Sequence, residues 1–302
     1  MNANESYGAG RKGVKQATGR AFKLRNFRPP GRRERDVAAP DAACYSCAIG
    51  AEIENGMTET LETGDALGAR LDEIRGRIAA CARQAGRTPD DVTLIAVSKT
   101  HAAERVRHAL AAGVADFGEN RVQEAEEKIE AVGHASAGGA LRPRWHLIGH
   151  LQSNKARRAV KLFDVIHTVD SAELIERLER MCVEEGRAEL RVLLQVDLAG
   201  EETKAGARAD ALPELIAKVA ACEHVRVAGL MTLPPFYEDR ERVRPFFRRL
   251  RELRDEWRGR GAFGDGRGEL SMGMSHDFEV AIEEGATMVR VGTAIFGARE
   301  RL

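Results

Sequence analysis

An apolar run ends on a lysine in "LIAVSKT" (94–100), where Leu94 to Val97 lead into Ser98 and Lys99. A buried ammonium is costly, so the placement needs a physical reason. The plain one is a strand end whose lysine head reaches out to water. The chemical one is an amine that loses proton affinity on partial desolvation and, when neutral, attacks an aldehyde. A second group of residues lies near the end of the chain, in "LSMGMSHD" (270–277) and "VRVGTAIFG" (289–297). Gly292 lets backbone approach an anion, and Ser275 and Thr293 add hydroxyl donors. Ser275 also precedes a predicted helix near Asp277, whose first amides attract phosphate. Taken singly, Ser275 reads equally well as a helix cap and Gly292 as a packing residue. Arg290 shares a strand face with Gly292 and carries a guanidinium that can only donate; an inter-strand salt bridge is its plain alternative.

The elements that must position these residues alternate regularly. Strands are predicted over 92–99, 114–120, 144–151, 164–170, 190–199, 225–233, 269–275 and 287–297, with helical patterns between them. Most of the strands are apolar throughout, as expected of parallel strands covered on both faces. Eight such units over about 245 residues fit a single α/β domain, a (β/α)8 TIM-type barrel, whose usual size is about 250 residues. The rival, an open doubly wound sheet, would carry a glycine-rich first turn, and "SKTHAAE" has no glycine. In a barrel the active residues follow the strand ends. Those ends supply Lys99, Asn120, His150, Asp170, Asp197, Thr232, Ser271 to Ser275, Gly292 and Thr293, and Lys99 is their one lysine. An amine after the first strand opposite an anion cup at the seventh and eighth suits a molecule with an aldehyde at one end and a phosphate at the other. Pyridoxal 5′-phosphate is such a molecule, and Arg290 would meet its ring nitrogen.

The remaining composition narrows the class. The chain has 302 residues, 31% of them charged, with a formal net charge of zero. Nothing global points to nucleic acid, and no run approaches the roughly 18 apolar residues of a membrane helix. Five cysteines at scattered positions argue against a disulfide scaffold and suit a reducing, cytoplasmic setting. Cys44 and Cys47 form a lone CxxC with no second pair, so no metal site is expected. Residues 1–56 form a leader without apolar periodicity, carrying ten Lys/Arg against four acids in the first fifty, a net of +6. It reads as disordered. The folded domain is expected over 57–302, opening with an amphipathic helix from Met57.

Taken together, "LIAVSKT", "FGENRVQEA", "WHLIGHLQSNK", "GEETKAG", "GLMTLPP", "LSMGMSHD" and "MVRVGTAIFGAR" resemble the pyridoxal phosphate homeostasis protein family, over about Leu67 to Arg299. The resemblance implies a barrel of the alanine racemase N-terminal-domain type (fold type III among pyridoxal phosphate proteins) without the second β domain of the racemases. It implies Lys99 as the Schiff-base lysine, phosphate contacts from Ser275, Gly292 and Thr293, and Arg290 at the ring nitrogen. Asn120 and His150 match motif positions that line the pocket, and Ser271 joins the set as a strand-end hydroxyl. Many members carry tyrosine where this chain has Arg121. The family binds the cofactor and influences vitamin B6 balance without demonstrated classical turnover. The expected partners are therefore apo pyridoxal phosphate enzymes that receive the cofactor, with no specific nucleic acid and no membrane. The expected state is a monomer, with a weak dimer as the alternative. The competing function is an amino-acid racemase or lyase with Lys99 as base and His150 or Tyr237 as acid. Tyr237 is the one tyrosine of the expected folded region and is read as a solvent-facing loop residue.

Overall fold

A computed structural model describes residues 66–133, 142–200 and 205–297. The expected leader over 1–56, the helix start at Met57 and the Cys44–Cys47 pair lie outside these residues. The first described element is helix α1 (66–84), which buries Leu67, Leu71, Ile74 and Ile78 at helical spacing. Strands and helices then alternate: β1 (Thr93–Val97), α2 (Ala103–Ala111), β2 (Asp116–Glu119), α3 (Val122–Val132), β3 (Arg144–Leu147), α4 (Ala156–Leu162), β4 (Val165–Val169), α5 (Ala172–Glu185) and β5 (Leu190–Asp197). The second half holds β6 (Ala207–Arg208), α6 (Leu212–Ala220), β7 (Val225–Met231), α7 (Arg244–Gly259), β8 (Glu269–Met274), α8 (Phe278–Glu283), β9 (Met288–Val291) and α9 (Thr293–Phe296).

Eight strands close a parallel barrel in the order β1, β2, β3, β4, β5, β7, β8, β9 and back to β1. They coincide with the eight strands expected from sequence, each trimmed at one end or both. Within 287–297, expected to hold the last strand and its exit, the strand ends at Val291 and the exit forms the short α9 from Thr293. The two-residue β6 was not expected. It pairs only with the end of β5, outside the ring, and two residues carry no period to read.

The barrel sorts side chains by strand phase. Ile95, Val165, Leu193, Met231 and Met288 pack together in the barrel interior. A much larger cluster fills the layer between strands and helices, including Phe117, Phe163, Phe247 and Phe278. Successive strand residues point to opposite sides. Thus Ile95 packs in the interior, while Val97 and Lys99 continue the same phase upward to line a cavity. Met288, Arg290 and Gly292 repeat that pattern on the neighbouring strand. Among the described residues, no helix is long and apolar enough to cross a membrane.

The α6–β7 turn is anchored by a single carboxylate. Glu179 on α5 accepts the backbone N–H groups of Glu223 at 2.9 Å and Val225 at 2.9 Å, and His224 Nδ1 lies 2.9 Å from it. Burial opposes its charge, but these bonds outweigh burial and hold the carboxyl at about 2. A depressed carboxyl stabilises the fold above its unfolded value, near 4.3, and loses that contribution as pH falls toward 2. Glu179→Ala should therefore lower stability at neutral pH by on the order of 1–2 kcal/mol, solvent screening having reduced the full effect of the shift, and the deficit should vanish toward pH 2. Urea unfolding of both proteins across that pH range measures it, and a pH-independent difference would contradict the assignment.

Candidate functional site

The cavity at the carboxyl ends of the barrel strands has a volume of about 300 Å³. Its wall carries Lys99 after β1, Asn120 after β2, Ser275 after β8, and Gly292 and Thr293 after β9, with Arg290 from within β9. Val97, Ile148 and Leu233 supply apolar surface. Six of the eight sequence-predicted residues therefore meet in one cavity. Lys99 is half-buried, one residue before Thr100.

Thr100 holds a left-handed backbone with φ 66°, costly for a β-branched residue. The surroundings impose this turn. The Thr100 amide donates to Glu124, and the preceding Ser98 carbonyl accepts Lys128 Nζ at 2.6 Å. Lys128 also reaches Glu119 and Glu124, each at 2.7 Å. The bend that turns Lys99 to the cavity is thus clamped by three charges behind it.

Around the anion cup, the Gly292 N–H donates to Ser275 Oγ at 3.2 Å, which leaves the serine proton free to donate elsewhere. A Cβ on Gly292 would meet Val97 Cβ and the Val97 carbonyl at 3.3 Å, so this wall suits glycine. The alternative reading of Ser275 as a helix cap is not what the structure has. Asp277 is the N-cap of α8, and its carboxylate accepts the Met274 amide at 2.7 Å. Arg290 is buried and donates to Ser271 Oγ at 2.6 Å and to the Thr232 carbonyl at 3.0 Å. Burial lowers it to about 10, still far enough above neutrality to keep its charge.

Two predicted residues stand elsewhere. Ser271 does not line the cavity; it is fully buried behind Arg290. His150 is exposed and borders a neighbouring cavity with Arg121 and Lys155, which shares only Asn120 with the first. The reason is local. Gly149 crosses so close to the Asn120 backbone that a Cβ there would lie 2.3 Å from the Asn120 carbonyl oxygen. The chain thus leaves the barrel wall after Ile148, before His150. Tyr237 is also not in the cavity wall. It is half-buried, with Arg242 4.3 Å over its ring and Phe246 stacked at 6.4 Å, rather than facing solvent.

A family model described as alanine racemase, N-terminal domain, matches residues 69–300. The chain belongs to this family. Within the alanine racemase N-terminal domain family its sequence is similar to the pyridoxal phosphate homeostasis protein of Aquifex aeolicus, at 42% identity over 231 residues, 76% of this chain and 97% of the relative. The protein of the same name from Escherichia coli K12 is 41% identical over 230 residues, 76% of this chain and 95% of the relative. Among solved structures, PipY of Synechococcus elongatus with PLP bound is 40% identical, with a TM-score of 0.63, covering 76% of this chain and all of that one.

This member of the alanine racemase N-terminal domain family also has polar residues that sequence reasoning passed over. Lys128 stands in the charged run "EAEEKIEA", yet it is buried. Nothing in a helical charge pattern announces that. His146 and His167 interrupt apolar runs on the inward phase of β3 and β4, and that interruption was a readable signal. Burial pushes Glu119 up, against the pull of Lys128 and Ser98, and its Oε2 has no hydrogen-bond partner. Lys128→Met should destabilise the protein by about 3–5 kcal/mol, because it strands Glu119. The double variant Lys128→Met/Glu119→Gln should recover part of that loss. Equilibrium unfolding of the two variants tests this, and equal stabilities would refute it.

Proposed function

We propose that this chain is a pyridoxal 5′-phosphate-binding protein of cofactor homeostasis, which holds the cofactor through Lys99 and hands it to apo enzymes. The observation that carries the reading is one cavity lined by Lys99, Arg290, Ser275 and Thr293, in a chain about 40% identical to proteins named for that cofactor. The residues present suit the molecule chemically. A primary amine, two hydroxyls beside a glycine that leaves room for backbone approach, and a donor-only cation are the partners for an aldehyde, a phosphate and a ring nitrogen.

When bound, pyridoxal phosphate supplies a reactive aldehyde and a ring that can act as an electron sink. The residues of this chain do the rest. The clamped Ser98–Thr100 turn orients the Lys99 amine toward the cavity. Ser275 and Thr293 offer protons to an anion. Arg290 stays cationic and would hold the ring nitrogen by donating to it rather than leaving a proton on it, which would weaken the electron sink. A protein built this way is better suited to retaining the cofactor than to carbanion chemistry. Holding without turnover also suits delivery to other proteins.

Borohydride treatment of the loaded protein should fix the cofactor's mass on Lys99, read by peptide mass spectrometry. Lys99→Ala should abolish that adduct, and an adduct that persists would rule Lys99 out. Thr293→Val should weaken cofactor retention by about 1.5–3 kcal/mol, the range for a hydrogen bond to a charged group, as measured by equilibrium dialysis. Delivery is tested by mixing loaded protein with an apo pyridoxal phosphate enzyme. Recovery faster than with free cofactor supports the role, and recovery no faster than that argues against it.

A further inference from the structure

A continuous hydrogen-bonded chain crosses the barrel interior beneath the cavity. Arg290 Nη1 donates to Ser271 Oγ at 2.6 Å, and Ser271 Oγ lies 2.9 Å from His167 Nδ1. His167 Nε2 lies 2.9 Å from His146 Nδ1, and His146 Nε2 lies 2.8 Å from Asp116 Oδ1. The other Asp116 oxygen accepts Arg144 at 2.7 Å. Asp116 opens β2 and Arg144 opens β3, so the chain runs from the amino ends of the strands to the cavity at their carboxyl ends. Every member except Arg144 is buried.

We infer that Asp116, His146, His167 and Ser271 are positioning residues that fix the direction of every proton leading to Arg290, and so orient its guanidinium toward the bound ring. The argument is one of valence. A guanidinium can only donate, so Ser271 must offer it a lone pair. The one serine proton then goes to His167 Nδ1, which must be bare. A neutral His167 therefore carries its proton on Nε2 and donates to a bare His146 Nδ1. His146 in turn donates from Nε2 to the Asp116 carboxylate, which can only accept. Each donor meets one acceptor and none is duplicated. The reverse order would need a protonated Asp116 and would leave the serine proton facing a group unable to accept it. The charge states agree with the first order. Burial opposes the Asp116 charge, but His146 and Arg144 outweigh it and hold the carboxyl below its usual range. Burial, with His146 and Arg290 nearby, keeps His167 well below the ordinary histidine range.

The effect on the ring rests on the proposal that pyridoxal phosphate lies against Arg290; the proton order does not. Nitrogen-15 NMR of the histidine-labelled full chain, with and without added pyridoxal phosphate, reads both rings directly. Both should carry a proton on Nε2, and His167 should stay neutral from about pH 6 to 8, the span over which a solvated histidine titrates. A protonated Nδ1 or an imidazolium at either site overturns the inference. In Asp116→Asn the carboxamide can donate, which lifts the carboxylate's bar on the reversed order and sets the serine proton against Arg290. There His146 should move toward Nδ1 protonation, and the visible absorption band of the bound cofactor should shift. Its binding should weaken about 2- to 30-fold, the range for coupling through a buried network. A variant whose tautomers change while spectrum and affinity stay as in the parent overturns the orienting role. If the expected tautomers appear but borohydride gives no Lys99 adduct, the cofactor reading fails and the proton order stands.

Discussion

Burying a guanidinium in the middle of a barrel is tolerable only if its donors are met and its charge is kept away from other cations. Arg290 sets that condition here, and much of the interior answers it. Ser271 and the Thr232 carbonyl take its protons. The histidine nearest to it is held neutral by the same burial, Asp277 at the N-cap of α8 is the carboxylate that offsets its charge, and Asp116 at the amino ends of the strands is paired with Arg144. The apolar interior cluster is correspondingly small, since part of the space a barrel would fill with aliphatic side chains is given to this polar chain.

A second polar group solves a different problem behind the first strand. Lys128, Glu119 and Glu124 do not touch the cavity. They hold the backbone on either side of Lys99, including an unfavourable left-handed threonine. Strain of this kind persists only where the surroundings over-determine it. The cavity therefore rests on two buried polar supports: one beneath Arg290, which joins strands far apart in the chain, and one behind Lys99, which ties β1 to the strand and helix that follow it.

How much of this was legible depends on the kind of signal each residue gives. The strands could be read because apolar runs and intervening helical periods are local properties. Strand-end positions then yielded Lys99, Asn120, Ser275, Gly292 and Thr293, since in a parallel barrel the strand ends open on one face. Arg290 followed from its two-residue spacing to Gly292. His150 lies off the wall because a tight backbone crossing at Gly149 turns the chain away from it, and a glycine in the sequence does not say which backbone it will pass. Ser271 was placed one layer too high for a related reason: phase along a strand tells inward from outward but not depth.

The sequence by itself determined the alternation of elements, the closed parallel barrel and the gathering of Lys99, Ser275, Gly292 and Thr293 at the strand ends, because periodicity and strand-end chemistry are written in neighbouring residues. Tertiary structure alone decided which polar side chains support that cavity. Lys128 is buried although it stands in a charged run, and His146 and His167 meet although 21 positions separate them. Burial and hydrogen-bond partnership arise from packing between strands and helices distant in the chain, and no local pattern encodes those contacts.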